Sequence, residues 1–419
     1  MTGADLPRIV TAIPGPRSER LVDVLAQHEC PAVTHRRARR ASELGLARVD
    51  PIVWDEAVGA NVRDADNNVF VDFTSGFGVA LVGHRDPEVV AAAHNQAHRL
   101  VHAMGDAFSD VTRIELLEAL AGAAPPGLSV AILGLSGSDS VDAAVRTAML
   151  ATGRVGVLAF AGAYHGLALG VAGLQAYQPA FTSAFAPVLH PKVNHLPWNV
   201  DRAALRQVLD RGDVGMVLVE PILGRGGFVE PAPGWLVLLH EEAHRAGALL
   251  CVDEVQTGLG RTGATWASVA EGVVADLLCT GKALGGGYPI SACVGRPDVM
   301  ASWGASAGEA LLTQTFLGHP IGCATARVVL RRVAGGLAAL AQERGAALTS
   351  KLSAAGFAIR GRGLMRAATV PAPLATCRRL LERGFLALPA GADAVGLMPP
   401  VCVTDAQLSA FVSALSEAA

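Results

Sequence analysis

Six short apolar runs, at residues 129–134, 155–160, 214–219, 248–252, 276–280 and 290–294, alternate with amphipathic segments that include 139–151, 201–211 and 234–246. A run of five or six residues with apolar side chains on both sides of the pleat needs covering on both faces. The helical segments between the runs supply that cover. The pattern therefore predicts an α/β fold with a mainly parallel sheet. Around it, residues 61–73 read as a hairpin turning at Asp66-Asn67-Asn68. Helical patterns occupy 87–104 and 110–123, and an alanine-rich helix is expected from Pro320 to about residue 345. The tail from 346 reads as a smaller α+β unit closing with a helix after Thr404-Asp405. Residues 1 to about 50 are expected as helix and coil lying over the body.

Ligands of open α/β sheets bind at the carboxyl ends of the strands. Polar clusters fall at four such ends: Ser136-Gly137-Ser138-Asp139, Glu220, Asp253 and Lys282. Free N–H groups where Gly137 and Ser138 open a helix suit a phosphate. The same residues also make an ordinary capping box, in which Ser136 pairs with Asp139. Tyr164, followed by His165 and Gly166, offers a ring for stacking on a flat heterocycle, or equally a residue at a core edge. Asp253 closes a buried run and needs a partner, which a protonated pyridine nitrogen or Arg261 would supply.

Only three lysines stand against thirty-one arginines. Arginine keeps its proton up to about pH 12 and cannot attack a carbonyl. Lys282, between an apolar run and Gly285-Gly286-Gly287, is therefore a candidate amine nucleophile rather than one more surface charge.

Bulk properties exclude several classes. Net charge is −3 and no block of like charge occurs, so neither nucleic acid nor an anionic membrane is expected as a partner. The seven cysteines show neither Cys-x-x-Cys nor zinc-type spacing, and are expected as buried free thiols. No metal site is expected. The amino-terminal residues lack signal-peptide character and no apolar run approaches a membrane span, so a soluble, cytoplasmic protein is expected.

Phosphate cradle, ring stacker, pyridinium carboxylate and amine are the parts that a pyridoxal phosphate enzyme needs. At these residues the chain resembles the class III (ω-type) aminotransferases of PLP fold type I. The resemblance covers residues 50–330 closely and the tail more loosely. It is carried by Asp253-Glu254-Val255-Gln256-Thr257-Gly258 with Gly260-Arg261-Thr262-Gly263, and by Gly281-Lys282-Ala283-Leu284-Gly285-Gly286-Gly287-Tyr288-Pro289. Gly83-His84, Tyr164-His165-Gly166, Glu220-Pro221 and Thr315-Phe316 also match.

The resemblance implies a large PLP-binding domain over 66–319 with a mainly parallel, seven-stranded-type sheet. A small α+β domain over 320–419 would be joined by the segment 1–65. It implies pyridoxal 5'-phosphate held covalently by Lys282 and paired with Asp253. Tyr164 and Val255 would lie on the two ring faces, with His165, Glu220 and Gln256 around the ring. Gly137 and Ser138 would hold the phosphate, and Thr315 would reach it from a partner subunit. A homodimer with shared active sites follows, moving an amino group between an amino-acid donor and a carbonyl acceptor by a ping-pong mechanism.

Two departures bear on the substrate. Members acting on 4-aminobutyrate or ornithine resemble one another in an arginine just after Tyr/Phe-His-Gly, where this chain has Leu167. They carry another three positions before a Pro-Pro pair, where this chain has Gly396. Arg225, Arg362 and Arg366 are candidate replacements. A bulky amine or aldehyde, an amino sugar or another secondary metabolite, is the expected partner substrate. Three alternatives remain. They are a PLP-dependent epimerase or aminomutase of the same fold, a catalytically inactive binding subunit, and a dehydrogenase suggested by Gly258-x-Gly260-x-x-Gly263.

Overall fold

The computed structural model describes residues 1–31, 41–45, 51–304 and 308–419. Within the amino-terminal segment, helix Pro16–His28 and the backbone around it are described. Residues 32–40 and 46–50, part of the expected helix and coil, lie outside the described residues.

A hairpin starts the body. Strands β1 (Trp54–Val58), β2 (Asn61–Asp64) and β3 (Val69–Asp72) pair antiparallel in turn. Between β2 and β3, Asn67 takes a φ of 68°, the left-handed geometry that asparagine tolerates. Then come β4 (Val130–Gly134), β5 (Gly156–Phe160), β6 (Val193–Leu196), β7 (Val214–Val219), β8 (Leu249–Asp253), β9 (Leu277–Thr280) and β10 (Ser291–Gly295). They form one seven-stranded sheet in the order β4-β10-β9-β8-β7-β5-β6. Only β10 runs against its neighbours. All six expected strands are present. The edge strand β6 was not foreseen, because its Val-Asn-His-Leu lacks an apolar run.

Period-two alternation sorts the sheet's side chains into two cores. Met216, Leu218, Cys251, Leu277, Cys279 and Cys293 pack on one face with Val141, Ala144, Val145 and Ala148 of helix Gly137–Thr152. On the other face Val217, Val219, Leu250, Val252 and Leu278 meet Leu236 and Leu239 of helix Trp235–Arg245, together with Leu205 and Val208. Helix Pro320–Ala334 lends Cys323, Ala326 and Val329 to this second core. The helix expected to run on to residue 345 breaks at Gly335-Gly336, and Leu337–Ala354 follows as a separate helix. Two adjacent glycines cost a helix interior about 1 kcal/mol each, which is enough to end it.

The carboxyl-terminal sheet holds β11 (Ile359–Arg362), β12 (Met365–Thr369), β14 (Leu388–Ala390) and β15 (Ala394–Leu397), while β13 (Phe385–Leu386) pairs parallel with β3. Its core joins the first hairpin to the last helix: the Phe73 ring stacks 3.9 Å from that of Phe411, with Phe385 edge-on to both. Among the described residues no helix is long and apolar enough to cross a membrane. All seven cysteines are free. Five are buried as expected, but Cys30 and Cys402 are exposed.

Candidate active site

Strands β4, β5, β7, β8 and β9 run in one direction, so the turns after them share one edge of the sheet. After β4 the capping box forms: the Ser136 hydroxyl accepts from the Asp139 N–H, and Asp139 Oδ2 accepts the N–H groups of Leu135 and Ser136, both at 2.9 Å. Among the described residues the Gly137 and Ser138 N–H groups have no protein partner. The cap and the free N–H groups therefore coexist, and the two sequence alternatives are not exclusive.

The turn after β5 seats Tyr164-His165-Gly166 against this helix start. Gly166 has a φ of +108°, and a Cβ there would lie 2.2 Å from Ser138 Oγ. Only glycine closes that contact. Gly137 is more loosely confined, since a Cβ would stand 3.0 Å from Val255 Cγ1.

Asp253 is almost fully buried at the end of β8. Its Oδ2 lies 2.8 Å from His165 Nδ1 and its Oδ1 accepts the Val255 N–H at 3.1 Å. An ionised carboxylate only accepts, so the imidazole donates through Nδ1. Burial disfavours the charged imidazole, but the hydrogen bond and charge of Asp253 outweigh it and hold His165 above the usual histidine range. Its Nε2 is buried with no partner among the described residues. Arg261, the alternative mate for Asp253, donates instead to the Pro399 carbonyl at 2.6 Å, and burial pulls its guanidinium down to about 9.

Glu220, after β7, accepts the Tyr164 N–H at 2.7 Å and the Gly224 N–H at 2.9 Å. Desolvation raises its carboxyl to about 7, partly offset by the nearby His165 charge. After β9, Lys282 takes a φ of 42°, a strained value for a non-glycine residue. Its Nζ lies 3.4 Å from Gln256 Oε1. Burial depresses the ammonium below the usual lysine range, against the pull of Asp253 and Glu220.

Thus Gly137, Ser138, Tyr164, His165, Glu220, Asp253, Val255, Gln256 and Lys282 gather at one sheet edge. Thr315 does not join them. It is exposed, next to Gln314, whose Nε2 reaches Asp139 Oδ1 at 3.3 Å. Sequence reasoning missed two neighbours. Met398 Sδ lies 3.2 Å from Gln256 Nε2, and Gly78 packs toward Lys282. A signal for the second existed in Ser75-Gly76-Phe77-Gly78, a run in which all four residues have positive φ.

The dehydrogenase alternative fails here. No helix opens at Gly258-x-Gly260-x-x-Gly263; turns continue to the short helix Ala267–Ala270. The glycines instead admit Trp266, Ala338 and Gln342.

The family model for class-III aminotransferases matches residues 46–419. The chain belongs to that family. Class-III aminotransferases depend on pyridoxal phosphate and transfer amino groups, so this is a transferase of nitrogenous groups. Relatives include the acetylornithine aminotransferase of Mycolicibacterium smegmatis, 36% identical over 87% of this chain and 93% of that protein. That of Methanosarcina mazei is 32% identical over 88% and 92%. The crystal structure of ornithine aminotransferase from Toxoplasma gondii superposes with a TM-score of 0.83 at 28% identity, covering 96% of this chain and 94% of that one. A second structure of that enzyme is described with partial occupancy of PLP at the active site.

The residues present fit that cofactor. The site offers unpaired N–H groups at a helix start, a buried carboxylate and a desolvated amine.

Proposed function

We propose that this class-III aminotransferase holds pyridoxal phosphate with Lys282, Asp253, Tyr164, Val255, Gln256, Gly137 and Ser138. Bound there, the cofactor supplies a carbonyl for the substrate amine and an electron sink for the carbon that carries it. The convergence of Lys282 with the His165–Asp253 pair and the free N–H groups of Gly137 and Ser138 carries the assignment. His165 orients the Asp253 carboxylate, which would hold the ring nitrogen, and the Gly137 and Ser138 N–H groups would hold the phosphate. Lys282 Nζ, made less basic by burial and released once the substrate amine has displaced it, would take the proton from the substrate carbon and hand it on to the cofactor carbon that had carried the carbonyl.

The partner substrate is a bulky amine or aldehyde, with an amino sugar or another secondary metabolite among the chemistries that fit. Support comes from the two vacated arginine positions and from the apolar rim: Leu167 is 40% exposed and Phe77 50%. The active unit is a homodimer in which Thr315 serves the neighbouring site. The exposed Met104, Phe108, Val111, Ile114 and Phe316 support this, since so large an apolar surface is unusual on a free monomer.

Reduction of the loaded protein with borohydride, followed by peptide mass analysis, tests the assignment. Cofactor mass fixed on Lys282, and loss of the visible cofactor band on adding amino donor alone, are the expected results. Label on another residue, or no spectral change with any amine, would overturn it.

A further inference from the structure

The site contains a cation that the proposed roles leave without a task. Arg225 sits on the turn after Glu220, with its guanidinium carbon 4.5 Å above the centre of the Tyr164 ring and 5.9 Å from that of Phe181. It is only partly exposed, and no carboxylate among the described residues pairs with it. Its charge is close enough to Lys282 to help lower the ammonium's basicity, behind the larger effect of burial.

Neighbouring arginines are all engaged. Arg362 is paired with Glu230 and Glu271. Arg366 donates to the Gly361 and Gly363 carbonyls. Arg360 holds Asp393 at 2.6 Å and also donates to the Gly227 carbonyl. Arg261 is buried against backbone carbonyls.

The turn that carries Arg225 also closes the position vacated at Gly396. A Cβ on Gly396 would lie 3.2 Å from the Phe228 ring and 3.0 Å from Ala390 Cβ. Phe228 is buried with a φ of 56°, and the Arg225 carbonyl accepts the Gly391 N–H at 3.2 Å. One short turn, pinned to the carboxyl-terminal unit, thus fills the space at 396 and presents above Tyr164 a guanidinium that no carboxylate among the described residues pairs with.

We propose that Arg225 binds the carboxylate of the amino-acid substrate, taking the place of arginines at 167 and 396. This rests on the aminotransferase site proposed above. A stacked guanidinium keeps its in-plane N–H donors free, so a carboxylate meets them edge-on while Tyr164 and Phe181 hold the plane.

The test uses the cofactor-loaded enzyme and an unreactive dicarboxylate, glutarate, titrated by calorimetry. Arg225→Ala and Arg225→Gln are each expected to weaken glutarate at least about tenfold, as loss of a charge-paired hydrogen-bond partner does. They are also expected to cut the preference for an amino acid over the matching carboxylate-free amine at least about tenfold in single-turnover spectra. Cofactor content of the variants checks that the site has folded. Glutarate binding within about twofold of the parent in both variants, or no binding to the parent at millimolar concentration, overturns the proposal. Failure of the aminotransferase site itself is distinct: no amine would then change the cofactor spectrum of the parent enzyme.

Discussion

His165 Nδ1 and Asp253 Oδ2 are 2.8 Å apart, and both side chains are almost wholly out of water. The imidazole thus does two things. It donates to a carboxylate buried at the end of β8, and together with the Val255 N–H it fixes how that carboxylate is turned.

Removing one member of such a pair leaves a buried charge uncompensated. His165→Ala is expected to destabilise the cofactor-free protein by about 3–5 kcal/mol, read from denaturant unfolding. His165→Asn keeps a donor near Asp253 and should lose less. An Ala substitution as benign as Asn would show that the pair does not hold the site together.

Lys282 carries the opposite sign. Its folded-state pKa is depressed, so its charge opposes folding when the pH lies below the unfolded value. Lys282→Met should therefore leave the cofactor-free protein at least as stable near neutral pH, while abolishing borohydride-fixed cofactor. A clear fall in Tm with cofactor still fixed would contradict both halves of the prediction.

Glu220 makes stability pH-dependent. Its folded pKa of about 7 lies above the ordinary 4.5. The resulting stabilisation is fully present below about 4.5 and disappears as pH rises through about 7. Glu220→Gln should flatten the decline in Tm between those limits. It should also be less stable at low pH, because the Tyr164 and Gly224 N–H groups point at different oxygens and a carboxamide sets its own NH2 donor against one of them. An unchanged slope in the variant would remove Glu220 as its source.

Gly396→Arg tests whether the missing arginine can simply be restored. With Phe228 and Ala390 against the position, the substitution overpacks the region and is expected to cost about 1–3 kcal/mol. Adding Phe228→Ala should recover part of that loss. A stable single variant would show that the space is open.

Local chemistry made much of this molecule readable beforehand. The apolar runs could be covered only between two helical layers, and Lys282 stood out because arginine had replaced nearly every other lysine. The capping box at Ser136 and Asp139 was legible because a helix start is set by residues within one turn. The motif around Asp253 identified a carboxylate that needs a partner, but not that the partner is His165, 88 positions away.

The sequence by itself settled where strands end and which reactive groups stand there, because side-chain periodicity and strand ends are local properties of the chain. It could not tell a bound arginine from a free one. Arg362, Arg366 and Arg225 look alike as residues. Only the folded chain gives the first two their carboxylates and carbonyls and leaves the third stacked on Tyr164 with no anion among the described residues. Charge compensation depends on distance in space, and those distances are fixed when the carboxyl-terminal unit packs against the turn after β7.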